Sequence, residues 1–101
     1  MTTTNQQDIF RAKVNLETAQ MPWRDMQRYF ASGAALYVAP ELDLVEVAFQ
    51  MSEDNAGLIA QWMEAGQFGK VSDEQARVWF EADAMLWAVV VSPWVLVQPV
   101  Q

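Results

Sequence analysis

The sequence predicts an α+β fold, a small sheet with four to five short helices packed around it and its strongest strand near the C-terminus. Two observations carry that prediction. The run Leu86-Trp87-Ala88-Val89-Val90-Val91 contains no polar residue, which marks a central strand covered on both faces. Upstream of it, apolar residues recur at three- and four-residue spacing between capping residues and glycines, which marks short helices. The length of 101 residues adds that one domain with one core is expected, ordered over residues 8–98 and frayed over 1–7.

Taken in chain order, residues 8–20 read as a first helix. Ile9, Ala12, Leu16 and Ala19 form its stripe, and Thr4 or Asn5 stands ready to cap it. Pro22 breaks that pattern and suits the first turn of a second helix over residues 22–32. Trp23, Met26, Gln27 and Phe30 share one side of it, and Gly33 suits the left-handed position beyond its end. Residues 36–39 read as a short strand stopped by Pro40.

Residues 43–51 fit two patterns. Leu44, Val45, Val47, Ala48 and Met51 make a helical stripe, while Val45, Val47 and Phe49 alternate as in a strand. Asp43 three residues before Glu46 resembles a capping box and favours helix. A helix over residues 55–65 follows, with Leu58, Ile59 and Trp62 inward and Gly66 at its end. Residues 68–71 are a short strand or an extended link. Ser72 and Gln75 then form a capping box for a helix over residues 73–82, with Ala76, Trp79 and Phe80 on one face. Ser92-Pro93 separates the apolar strand from a second run over residues 94–97.

Composition narrows the chemistry. With no histidine and no cysteine, the commonest general base and the thiolate and imidazole metal ligands are missing. Any metal site would rest on oxygen ligands. No cofactor is expected, and the balance leans away from an enzyme. The net charge of −7 is uneven: residues 1–32 balance to +1 and residues 33–101 to −8. An acidic body repels phosphate backbones and anionic lipid, so nucleic acid and membranes are not expected partners. The polar start lacks the pattern of a signal peptide, and the apolar run over residues 84–91 is far shorter than the ~20 residues of a membrane helix. A cytoplasmic location is expected.

Few residues invite a functional reading. The acidic pairs Asp43 with Glu46 and Glu53 with Asp54 sit where helix caps belong. Gly66-Gln67-Phe68-Gly69-Lys70 lacks the spacing and the following hydroxyl residue of a phosphate loop. Arg24 and Arg28, one helical turn apart, could grip a carboxylate or phosphate, or simply pair with the acidic body. Five tryptophans are many for this length. Trp23, Trp62, Trp79 and Trp87 fall on core positions, whereas Trp94, beside Pro93, could line a pocket or an interface. The binding or interface candidates are therefore Trp23, Arg24, Arg28 and Trp94.

Four stretches in order resemble a family of small bacterial proteins classed as a domain of unknown function. They are Arg11-Ala12-Lys13-Val14-Asn15-Leu16-Glu17-Thr18-Ala19, Leu42-Asp43-Leu44-Val45-Glu46-Val47-Ala48, Val71-Ser72-Asp73-Glu74-Gln75-Ala76 and Val89-Val90-Val91-Ser92-Pro93-Trp94-Val95-Leu96-Val97-Gln98. The Pro-Trp-Val-Leu-Val-Gln run is the most specific. The resemblance implies a stand-alone bacterial cytoplasmic protein and brings no catalytic residue.

The apolar content of 52% in so short a chain leads to the functional expectation. It is a non-enzymatic interaction protein forming a homodimer, with residues 84–97 as the edge that pairs and Trp94 in the interface. The alternative is a protein that binds a small anionic ligand in an aromatic pocket near Trp94 or Trp23, oriented by Arg24 or Arg28.

Overall fold

The computed structural model describes residues 17–100. Five strands form one mixed sheet: β1 (Ala19–Pro22), β2 (Ala35–Val38), β3 (Phe68–Lys70), β4 (Met85–Val91) and β5 (Trp94–Pro99). Their order is β1-β4-β5-β2-β3, antiparallel throughout except for the parallel pair β5–β2. Among the described residues four helices flank the sheet: α1 (Gln27–Ala31), α2 (Leu44–Ser52), α3 (Ala56–Glu64) and α4 (Asp73–Glu81). The α+β expectation is met, and β4, the longest strand, lies late in the chain.

Side-chain alternation splits the core in two. Leu36, Val38, Val89 and Leu96 point to one face, where α2 adds Leu44, Val47 and Ala48. Ala35, Leu86, Ala88, Val95 and Val97 point to the other, where Trp23, Met26 and Ala76 close over them. Because both faces are covered, β4 and β5 read as continuous apolar runs.

Local chemistry explains most boundaries. Residues 43–51 resolve as helix because Asp43 Oδ1 accepts from the N–H groups of Val45 and Glu46 at 3.0 and 3.4 Å. Asn55 Oδ1 accepts from the Leu58 N–H and starts α3. Ser72 and Gln75 complete a reciprocal capping box before α4. Gly33 and Gly66 take positive φ angles of 77° and 73° at helix ends. Ser92 and Pro93, joined by a cis peptide, form the two-residue loop between β4 and β5.

Three expectations need correction. Ala19 and Gln20 belong to β1, not to a first helix; the part of that expected helix before residue 17 lies outside the described residues. β1 carries no β-branched residue, and its partner β4 makes it a strand. Pro22 ends β1 instead of opening a helix, and a 3-10 turn over Trp23–Met26 precedes the short α1. Residues 84–97 are no free sheet edge over most of their length: β1 flanks residues 85–88 of β4 with β5 on the other side, and β5 lies between β4 and β2.

Candidate interaction surface

Sheet edges are where a small protein most readily meets another chain, because unpaired N–H and C=O groups lie open there. β3 is only three residues long and ends in exposed Lys70. β1 is four residues long and ends in Pro22, which cannot donate. Short strands, lysine and proline are the usual protections against strand addition.

β4 has a stretch without them. Its ladder with β1 starts at Ala19 opposite Ala88, so residues 89–91 run on toward the hairpin loop without β1 beside them. All three are valines. The parity of the hydrogen bonds shows which one faces outward. The Trp23 N–H donates to the Ala84 carbonyl at 2.9 Å on the β1 side. Peptide groups alternate sides along an antiparallel strand. Leu86, Ala88 and Val90 therefore present theirs to the β1 side, and Val90 is the one lying beyond the end of β1. The Val90 side chain is 59% exposed, the most open of the large apolar side chains among the described residues.

Beside Val90 lies an apolar cleft of about 100 Å³ lined by Met21, Met26, Tyr29, Ala88 and Val95, with Glu17 as its one carboxylate. It occupies the face of Trp23. The Tyr29 hydroxyl accepts from Arg28 Nη2 at 3.2 Å, and the guanidinium lies 5.0 Å above the Tyr29 ring. That hydrogen bond, with the electrostatic pull of the Tyr29 oxygen, holds the Arg28 pKa above its usual value.

The four candidates named from sequence do not form one site. Trp23 is fully buried and meets the rings of Phe30 and Trp79 edge-on at 5.7 and 5.1 Å, so it is core. Its indole N–H has no hydrogen-bond partner among the described residues. Arg24 is a clamp: Nη2 donates to the Phe80 carbonyl at 3.1 Å, Nε lies 3.3 Å from Asp83 Oδ1, and the guanidinium stacks 4.5 Å over the Phe80 ring. It thereby ties the 3-10 turn to the end of α4. Trp94 is half-buried on the opposite face of the sheet, against the α2 core. Trp62, Trp79 and Trp87 are also half-buried rather than fully enclosed.

A wider, open groove of about 350 Å³ runs between α1 and α4. Phe30, Ala76 and Phe80 line it, and Asp73, Arg77 and Glu81 form its rim. Arg77 is engaged by Glu74 and Glu81, which hold its pKa above the usual value, Glu74 most strongly. Neither Arg24 nor Arg28 lines this groove, and its charge balance is acidic, which suits an anion poorly. A third hollow, about 270 Å³, lies between Trp87 and the start of α2. At its mouth Gln98 Nε2 donates to the carbonyls of Ala39 and Leu42 at 2.9 and 2.7 Å. Among the described residues, no group of three or more carboxylates is placed to hold a metal ion. Likewise no helix of the described residues is long and apolar enough to cross a membrane.

Val90 and Tyr29 were missed in the sequence. Within an unbroken apolar run every position looks equally central, and the sequence carries no mark of where β1 stops.

The family model for a protein of unknown function (DUF2288) matches residues 9–99. The chain is also similar to a solved structure, the NMR solution structure of PA1075 from Pseudomonas aeruginosa. The two share 40% sequence identity and superpose with a TM-score of 0.81, covering 100% of this chain and 94% of that one. No curated protein matches the chain. The chain therefore belongs to the DUF2288 family, the small bacterial family that its closing Pro-Trp-Val-Leu-Val-Gln run resembles.

Proposed function

We propose that this chain is a non-enzymatic interaction protein of the cytoplasm that associates with itself. The observation that carries the reading is the end of β4, where Val90 is 59% exposed and, among the described residues, no strand pairs with residues 89–91 on the β1 side. Three valines with no charge, proline or bulge run past the sheet's last strand, while both true edges of the sheet carry protections. In a chain of net charge −7, an uncharged strip is where two copies approach with least repulsion. The residues around it are apolar apart from Tyr29 and Glu17, a composition closer to an interface than to a catalytic site.

Light scattering on a size-exclusion column, over a concentration series, tests the reading. A mass rising toward twice the 11.5 kDa of the chain is the expected outcome. A constant monomer mass at every concentration would remove the self-association reading.

A further inference from the structure

We infer that the open groove between α1 and α4 docks a basic segment of a partner protein, with an apolar side chain on Phe30, Ala76 and Phe80 and an adjacent lysine or arginine against Asp73. This is separate from self-association. The walls of the groove come wholly from residues 27–81.

The floor favours an apolar group. Phe80 leaves 43% of its surface open, on a helix of nine residues that buries only Ala76. Phe30 comes from α1, and both helices pack on the Trp23 face of the sheet. An apolar floor between two helices is a common way to seat side chains of another chain.

The polar groups left around that floor are acceptors. Gln27 Nε2 donates to the Trp23 carbonyl at 2.7 Å, which orients the amide and leaves its oxygen for a donor on the occupant. Arg77 is taken by Glu74 and Glu81. Arg24, which stacks on Phe80 without lining the groove, is taken by Asp83. Asp73 has no ion-pair partner among the described residues. Four carboxylates thus stand against two guanidiniums. The wider field has the same sign, since residues 33–101 balance to −8. Charge complementarity calls for a cation, and the floor for an apolar neighbour beside it.

Other occupants fit less well. An anion or an anionic lipid meets carboxylates. A second copy placed about a two-fold axis would bring the same acidic rim to face itself. A free small molecule would lie largely in solvent, because the groove of about 350 Å³ is open, whereas ligand pockets enclose most of their ligand.

The probe is a short synthetic peptide of leucines set among lysines, titrated into the isotope-labelled protein and followed by NMR. The backbone amides of α1 and α4 should shift, while those of α2 and α3, on the opposite face, stay in place. A lysine–serine peptide of equal charge should bind about tenfold more weakly, because it lacks the apolar anchor. Phe80→Ala should weaken the lysine–leucine peptide by a similar factor, and Asp73→Asn by about threefold. Glu53→Gln, at an exposed carboxylate beyond α2, should leave binding unchanged. Asp73 and Glu53 are both exposed, so these two variants should melt as the parent does. Added salt should weaken binding without abolishing it. The docking site is wrong if the shifts centre outside α1 and α4, or if Asp73→Asn and Glu53→Gln weaken the peptide equally. Equal binding of the two peptides, or no shift at millimolar lysine–leucine peptide, also overturns it.

Discussion

The two faces of the sheet are covered by different means. On one, the nine-residue α2 buries Leu44, Val47, Ala48 and Phe49 along a single stripe. On the other, α1 has five residues and buries none of them fully, while α4 buries only Ala76. What closes that second face is chiefly one indole, with Met26 and Val71 beside it. Trp23 has no exposed surface and is wedged between Phe30 and Trp79. The comparison shows two ways of finishing a small core. A helix spreads burial over several modest side chains, so each loss can be partly absorbed. A single large ring concentrates it, and the shell around the ring has little else to hold it.

The largest expected effect separates those two designs. Trp23→Ala should cost about 3–5 kcal/mol, the upper end for core truncations, because a shell of short elements has no stripe of its own to collapse on. Leu44→Ala should cost nearer the lower end of the roughly 2–5 kcal/mol range for leucine, since α2 keeps three other buried side chains. Urea unfolding of both variants checks this, and equal losses would break the comparison. The unpartnered indole N–H already subtracts from what Trp23 contributes.

A smaller effect concerns how the helices begin. Asp43→Ala and Ser72→Ala each remove a side-chain cap and should cost about 1 kcal/mol. Ser72→Ala should cost the more, because it also leaves Gln75 without its hydroxyl donor. Thermal melts of the pair sharpen the contrast between faces: the α4 side has fewer buried residues in reserve.

Arg24→Ala should have the smallest effect, at most about 1 kcal/mol, since both partners of its ion pair with Asp83 are mostly exposed. The ion-pair part should shrink in high salt, while the stacking on Phe80 should not. A loss that vanished completely in salt would mean that Arg24 holds the second face by charge alone.

Much of the fold was legible in the sequence because local rules and tertiary packing agreed there. The capping box at Ser72 and Gln75, the glycines at 33 and 66 and the apolar run of β4 all act within a few residues of themselves. β1 was not legible, because Ala-Gln-Met-Pro has no strand preference and is extended only through its pairing with β4. The candidate site was less legible still. Arg24 and Arg28 are a helical turn apart in sequence, yet one grips Phe80 and Asp83 and the other lies over Tyr29. Trp94 and Trp23 share a residue type but lie on opposite faces. The exposure of Val90 depends on where a different strand stops, which no periodicity within β4 records.

The place of β5 in the strand order also shapes how the molecule comes together. β5 joins β4 on one side and β2 on the other, and the second pairing links Ala35 to Val95 across most of the chain. Until residues 94–97 leave the ribosome, β2 with β3 and β1 with β4 have no strand between them. The loop that must close is long, and the entropy lost in closing it is offset only when the centre of the sheet arrives. A sheet whose centre is the last strand made depends on contacts far apart in sequence, the kind that slow folding, so β5 is expected to be the element whose arrival completes the core.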